Sequence, residues 1–197
     1  MPLSALDPSS ALILIDLQKG ITAAPLTPND ADSLLERAGG LARAFRAAGS
    51  PVVNVRVSFA ADFADAPKGR VQAGPEELGP PPAPGWDDPD PRLPHEPGDV
   101  EITKRGWGAF LDTELDLQLR RRGVTQVFLA GLMTNIGVDT TAREAHFRGY
   151  NVVIVEDACS ATSDAEHAYT IEQIAPKLGE IATAGEVEDA VREKEPA

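Results

Sequence analysis

Between Thr125 and His146 (TQVFLAGLMTNIGVDTTAREAH) the chain changes its periodicity within a few residues, and that change constrains the fold more than any other feature. Val127 to Ala130 is a short continuous apolar run, with the β-branched and aromatic content of a buried strand. Gly131 is expected to break the run, and Thr134 and Asn135 stand where they can cap the next element. From Val138 the spacing is helical: Val138, Thr141, Ala142 and Ala145 fall at i, i+3, i+4 and i+7, with Asp139, Arg143 and Glu144 between them. So abrupt a passage from strand to helix suits an open α/β sheet. There, ligands bind at the carboxyl ends of strands, and helix N-termini offer unpaired N–H groups to anions.

The pattern recurs along the chain. Ala11 to Ile15 is continuously apolar, as in a strand covered on both faces, and Pro51 to Val57 repeats the signal. Between them, Asn29 or Asp30 caps a helix whose stripe is Leu34, Leu35, Ala38, Leu41, Ala42 and Phe45, ended by Gly49-Ser50-Pro51. Val100 to Thr103 alternates as a short strand, and Asp112 or Thr113 opens a helix that Gly123 stops. Asn151 to Val155 is a fifth strand, Ala165 to Leu178 a helix, and Glu180 to Thr183 a last short strand. Strand and helix in alternation predict an α/β protein with a doubly wound, mostly parallel sheet and helices on both faces, a Rossmann-like three-layer arrangement. Residues 1–197 fit one domain. Only residues 58–98, with Pro80-Pro81-Pro82 and an anchoring Trp86, read as a long loop: a lid, a binding loop or a subunit contact.

Composition removes several function classes. With 31 Asp and Glu against 18 Lys and Arg, the formal net charge is −13, which argues against nucleic acid or an anionic membrane surface as partner. No apolar run approaches a membrane span and no basic-then-apolar leader is visible, so a cytoplasmic protein is expected. A single Cys excludes an internal disulfide framework and a Cys-based zinc site, and His95, His146 and His167 have no ligand spacing. No metal and no other cofactor is expected.

Three segments carry candidate chemistry. Asp16-Leu17-Gln18 ends the first strand, where Asp16 is either a turn cap or a functional acid with a raised pKa. Lys104 ends the strand at Val100–Thr103 and is followed by Arg105-Gly106-Trp107-Gly108-Ala109-Phe110. The third segment is the turn from Met133 to Gly137. On a parallel sheet these strand ends share one edge, so the three converge. Arg56 is taken as a solvated strand-end residue in preference to a ligand contact.

G-L-M-T-N-I-G-V-D-T-T-A-R, D-L-Q and V-E-I-T-K-R-G-W-G-A-F together resemble the active-site segments of the isochorismatase-like, or cysteine hydrolase, superfamily. The resemblance implies Asp16 and Lys104 as catalytic residues, with Gly137 where most members carry a nucleophilic Cys. By position it further implies substrate contacts from Gln18, Arg105, Trp107, Met133, Thr134 and Asn135. It also implies a non-proline cis peptide at Leu132–Met133 and assembly as a homodimer or homotetramer. Without a thiol at residue 137, covalent acyl transfer from that position is impossible. Cys159 follows a different strand and is expected to be packing. The branch of the superfamily that works without a thiol hydrolyses the vinyl ether of isochorismate, a small anionic substrate, with the Asp as general acid. An amide hydrolase with an altered nucleophile and a non-catalytic binding protein are the alternatives. Nicotinamidase is disfavoured because residues 56–70 hold no His, and a nucleotide-binding domain because no Gly-rich loop follows the first strand.

Overall fold

Alternating residues on each strand bury against different helices, and this fixes the layers. In the computed structural model, which describes residues 3–72 and 83–193, the strands are β1 (Ser10–Ile15), β2 (Val52–Val57), β3 (Val100–Lys104), β4 (Gln126–Leu132), β5 (Asn151–Ser160) and β6 (Glu180–Ala182). They form one sheet in the order β3-β2-β1-β4-β5-β6, with every pairing parallel. The helices are α1 (Lys19–Thr22), α2 (Ala31–Ala47), α3 (Leu115–Arg121), α4 (Asp139–Phe147), α5 (Asp164–Tyr169) and α6 (Ala184–Glu193). Ile13, Ile15 and Leu129 pack with Leu115 and Leu119 of α3 and Ala142 and Ala145 of α4. Leu12, Leu14 and Phe128 point the other way, into Leu34, Leu41 and Phe45 of α2 and Val187 and Val191 of α6. Period-two strands between amphipathic helices thus make two cores, one on each face. Every residue of β1 and β4 is buried, whereas the edge strand β3 alternates buried and exposed.

Several element ends differ from the sequence reading. Gly131 does not break its strand. β4 continues to Leu132 because Gly131 adopts φ +125°, and a Cβ there would lie 2.1 Å from the Ile15 carbonyl oxygen. The glycine is what lets β4 lie against the end of β1. Asp30, not Asn29, caps α2, accepting from the Ser33 N–H at 2.8 Å. Asn29 is drawn off to Cys159 and Ser160 at the end of β5. β5 runs on to Ser160 through an irregularity opposite Ala130. The helix expected over Ala165–Leu178 is α5, a wide π-type turn at Thr170–Ile174 and a tight turn at Ala175–Lys177, where Pro176 lacks the N–H to continue it. α6 was not anticipated.

The order reverses between β1 and β4, which makes their carboxyl ends the switch-point crevice. The long loop is fastened near it. Trp86 stacks on Phe59 with centroids 6.3 Å apart, Lys19 pairs with Asp88 at 2.9 Å, and Asp90 accepts from Thr22 Oγ1 at 2.6 Å. Pro80-Pro81-Pro82 lies outside the described residues. Among the described residues no helix is long and apolar enough to cross a membrane.

Candidate active site

β1 ends by placing Asp16 at φ +55°, a left-handed conformation that Asp tolerates better than most residues and that swings its side chain across the strand ends. Gln18, two residues on, is 1% exposed. Its Oε1 accepts from the Val57 N–H at 2.9 Å and its Nε2 donates to the Val57 carbonyl at 3.0 Å. Both halves of the amide are therefore committed to the end of β2, where they hold the start of the turn after Asp16. In that geometry Gln18 sets the turn.

Lys104 reaches Asp16 past the end of the intervening β2. Its Nζ lies 2.8 Å from Asp16 Oδ2 and donates to the Trp107 carbonyl at 2.7 Å, with the side chain only 2% exposed. The other carboxylate oxygen, Asp16 Oδ1, is buried with no hydrogen-bond partner among the described residues. Burial pushes the Asp16 carboxyl up to about 6, against the opposing pull of Lys104 and of the Val57 backbone. One ammonium at one oxygen does not compensate for taking the whole carboxylate out of water.

The turn after β4 supplies the third wall. Leu132–Met133 is a cis peptide bond, and Met133 leads into a wide helical turn over Thr134–Val138 that runs directly into α4. Met133 is partly buried, and its carbonyl accepts from the N–H groups of Ile136 (3.0 Å) and Val138 (3.2 Å). Neither Thr134 nor Asn135 caps the turn. Thr134 Oγ1 sits 2.9 Å from His167 Nδ1, and Asn135 Oδ1 is a second buried oxygen without a partner among the described residues. A Cβ added at Gly137 would lie 2.7 Å from the Leu132 carbonyl, 3.1 Å from Asp16 Oδ2 and 3.1 Å from Ile15 Cγ2. The backbone thus approaches Asp16 so closely that a side chain at 137 would require it to move.

Other residues expected at the site lie at its margin. Trp107 contributes its carbonyl to Lys104, but the residue is 66% exposed. Arg105 pairs with Asp65 at 2.6 Å, and Arg56 lies against Thr103 and Asp87. Cys159 is wholly buried, its Sγ 3.9 Å from the Leu129 carbonyl, and burial pushes its thiol up to about 12. It is inert packing. Among the described residues no cluster of His, Cys, Asp and Glu could hold a metal ion. A cavity of about 720 Å³ opens at the opposite end of the sheet, between Ser10, Ser50 and Arg122, away from this chemistry.

Three neighbours of the site escaped the sequence reading. His167 abuts Thr134, and burial holds its imidazole below the usual histidine range. Thr141 and Glu144 on α4 accept from the N–H groups of Ala109 (3.2 Å) and Phe110 (2.9 Å), clamping the loop that follows Lys104. Only the i+4 spacing of Gly137 and Thr141 hinted at any of this.

The model of the isochorismatase domain matches residues 10–186, which include all three segments of the site. The chain belongs to the isochorismatase family. It is similar to the isochorismatase family protein YecD of Escherichia coli O157:H7, with 45% identity over 183 residues covering 93% of this chain and 96% of the relative. It is also similar to a streptothricin hydrolase of Streptomyces noursei, with 33% identity over 175 residues, 88% of this chain and 62% of that one. Among solved structures, an isochorismatase family protein from Burkholderia thailandensis superposes with a TM-score of 0.91 at 44% identity, covering 97% of this chain and 98% of the other. The all-parallel sheet is thus that of an isochorismatase-like hydrolase.

Proposed function

We propose that this isochorismatase-like hydrolase cleaves a small anionic substrate without a covalent intermediate, by vinyl-ether hydrolysis of isochorismate or an analogue with Asp16 as general acid. The carrying observation is the state of Asp16: a buried carboxyl raised to about 6, with one oxygen beside Lys104 and the other unpartnered among the described residues. The ammonium at Oδ2 favours the proton on Oδ1, the oxygen without another claim on it. Oδ1–H protonates the terminal carbon of the enol ether, leaving an oxocarbenium ion. Water adds to that ion and returns a proton to Asp16. The hemiketal then collapses to pyruvate and the ring alcohol. Lys104, with two of its three N–H bonds committed, keeps one donor for a substrate carboxylate, and N–H groups of the Met133–Gly137 turn other than that of Ile136, which the Met133 carbonyl takes, support the anion. Thr134 and Asn135 belong to that turn, and Arg105 and Trp107 follow Lys104 on the loop after β3.

Gly137 supports the non-covalent reading. It stands, by the resemblance, where the family motif carries its nucleophile, and a side chain there would require the Leu132 carbonyl to shift and would crowd Asp16. Exposed Trp107, Leu111, Phe147 and Tyr169 support assembly with further copies of the chain. A monomer by light scattering at micromolar concentration would count against that assembly.

The deciding experiment is a panel of isochorismate, small amides and nicotinamide offered to the wild type and to Asp16→Asn. Turnover of isochorismate alone, lost in the variant, is expected. Amide cleavage that survives Asp16→Asn would sink the assignment.

A further inference from the structure

One buried hydroxyl joins the two halves of the site. Thr141 is fully buried on the first turn of α4. Its Oγ1 donates to the Gly137 carbonyl at 2.6 Å, a bond that helical threonines often make to the residue four before them. The same oxygen accepts from the Ala109 N–H at 3.2 Å, and this second bond has no such local explanation. Ala109 belongs to the loop after β3, on the far side of β1 and β2 in the sheet order. Two residues before it, Trp107 presents the carbonyl that holds Lys104. Glu144, one turn along α4, repeats the clamp by accepting from the Phe110 N–H at 2.9 Å, with its carboxylate packed where any side chain at Gly108 would stand.

We propose that Thr141 is a positioning residue that holds the Gly137 turn and the Lys104 loop in register, so that Lys104 is delivered to Asp16. The proposal rests on the reading of Asp16 and Lys104 as the acting pair. The mechanical path is short: Gly137 carbonyl, Thr141 hydroxyl, Ala109 N–H, Trp107 carbonyl, Lys104 ammonium, Asp16 carboxylate. Without the hydroxyl, the loop loses its buried bond to α4, and the Trp107 carbonyl no longer holds the ammonium over Oδ2. Lys104 is the charged group that acts on Asp16. The other charges nearby are engaged elsewhere: Asp139 with Arg143, Glu144 with the Phe110 N–H, and Arg105 with Asp65.

The test is an NMR titration of the Asp16 carboxyl in substrate-free enzyme, comparing the wild type with Thr141→Val, Thr141→Ser and Glu144→Ala. Retreat of Lys104 removes the attraction that holds Asp16 down. Thr141→Val should therefore shift its titration upward by about one pH unit. Thr141→Ser, which keeps the hydroxyl, should titrate like the wild type. Glu144→Ala should move Asp16 the same way by less, and it carries the test if Thr141→Val fails to fold. Below about pH 6, where Asp16 is protonated in every variant, kcat should fall roughly tenfold or more in Thr141→Val through lost positioning and recover in Thr141→Ser. An unshifted Asp16 in folded Thr141→Val, or in Glu144→Ala should the valine variant not fold, would overturn the proposal. So would a serine variant displaced as far as the valine one. Because the titration uses no substrate, a failed substrate panel leaves this result standing, and the two ideas fail separately.

Discussion

Two aspartates with buried side chains, each beside a cation, mark the two ends of this sheet, and their carboxyls are displaced in opposite directions. Asp16, at the carboxyl end, has Lys104 at 2.8 Å on one oxygen and no partner among the described residues on the other, and burial lifts it to about 6. Asp99, in the turn before β3, tucks its side chain away (2% exposed), but the residue as a whole is only half-buried and sits nearer the surface than Asp16. Burial pushes Asp99 upward as well, but its hydrogen bonds outweigh that push and hold it below the usual carboxylate range. Arg46 donates to both of its oxygens, at 3.0 and 2.6 Å, and the Glu96 N–H and Asn54 Nδ2 each donate to Oδ2 at 3.0 Å. A neighbouring cation is common to both; what separates them is that Asp16 lies deeper and that Asp99 has many more hydrogen bonds to its ionised form. One carboxylate is saturated and locks the structure. The other is left wanting a proton, which is the condition a general acid needs.

The contrast should show most strongly in activity. Asp16→Asn is expected to lower kcat/KM by roughly a hundredfold to ten-thousandfold, while Asp99→Asn leaves it within a few fold. Steady-state kinetics on both variants, with circular dichroism as the folding control, checks this. Equal losses would erase the distinction between the two ends.

The pH profile sharpens it next. A general acid works in its protonated form, so kcat/KM should be flat below about pH 6 and fall about tenfold per unit above it. A rate that rises through pH 6 would instead assign Asp16 the role of a base.

Stability should reverse the ranking. Asp99→Asn removes the charge and one of the two oxygens that Arg46, Asn54 and the Glu96 N–H share, and should cost about 1–3 kcal/mol at pH 7 in a urea unfolding series. The carboxyl of Asp99 is depressed in the fold. Its contribution is therefore present above the unfolded value near 3.8 and is lost as pH falls through the lower folded value, so the gap to the wild type should close in acid. A gap that persisted unchanged in acid would mean that the ionised form is not what stabilises.

The smallest effect belongs to Cys159, which shares the sheet but neither role. Cys159→Ser should keep full activity and lose about 1 kcal/mol or less on placing a hydroxyl in an apolar niche. Native enzyme should resist alkylation, because burial pushes the thiol up to about 12. Inactivation by a thiol reagent that labels only Cys159 would require a different site.

The chain by itself determined a good deal. Continuous apolar runs at Ala11–Ile15 and Val127–Ala130 and the stripe from Leu34 to Phe45 specified strands, a helix and their alternation, hence a parallel α/β sheet. That information is local, because hydrophobic periodicity is written residue by residue. The same locality placed Asp16, Lys104 and the Met133–Gly137 turn at strand ends. Element ends were less legible. Gly131 looked like a breaker because a glycine's usual role is punctuation, and only the Ile15 carbonyl beside it shows that the strand needs it to continue. Gln18 and Asn135 were alike in sequence as polar residues near the site. In the fold, both ends of the Gln18 amide are bonded to Val57, while Asn135 Oδ1 has no partner among the described residues. The clamp from Thr141 and Glu144 to the Lys104 loop likewise had no signature in spacing. Tertiary structure decided these points for one physical reason. A polar side chain's protonation and availability depend on how many of its hydrogen-bonding positions are filled, and the groups that fill them arrive from distant parts of the chain.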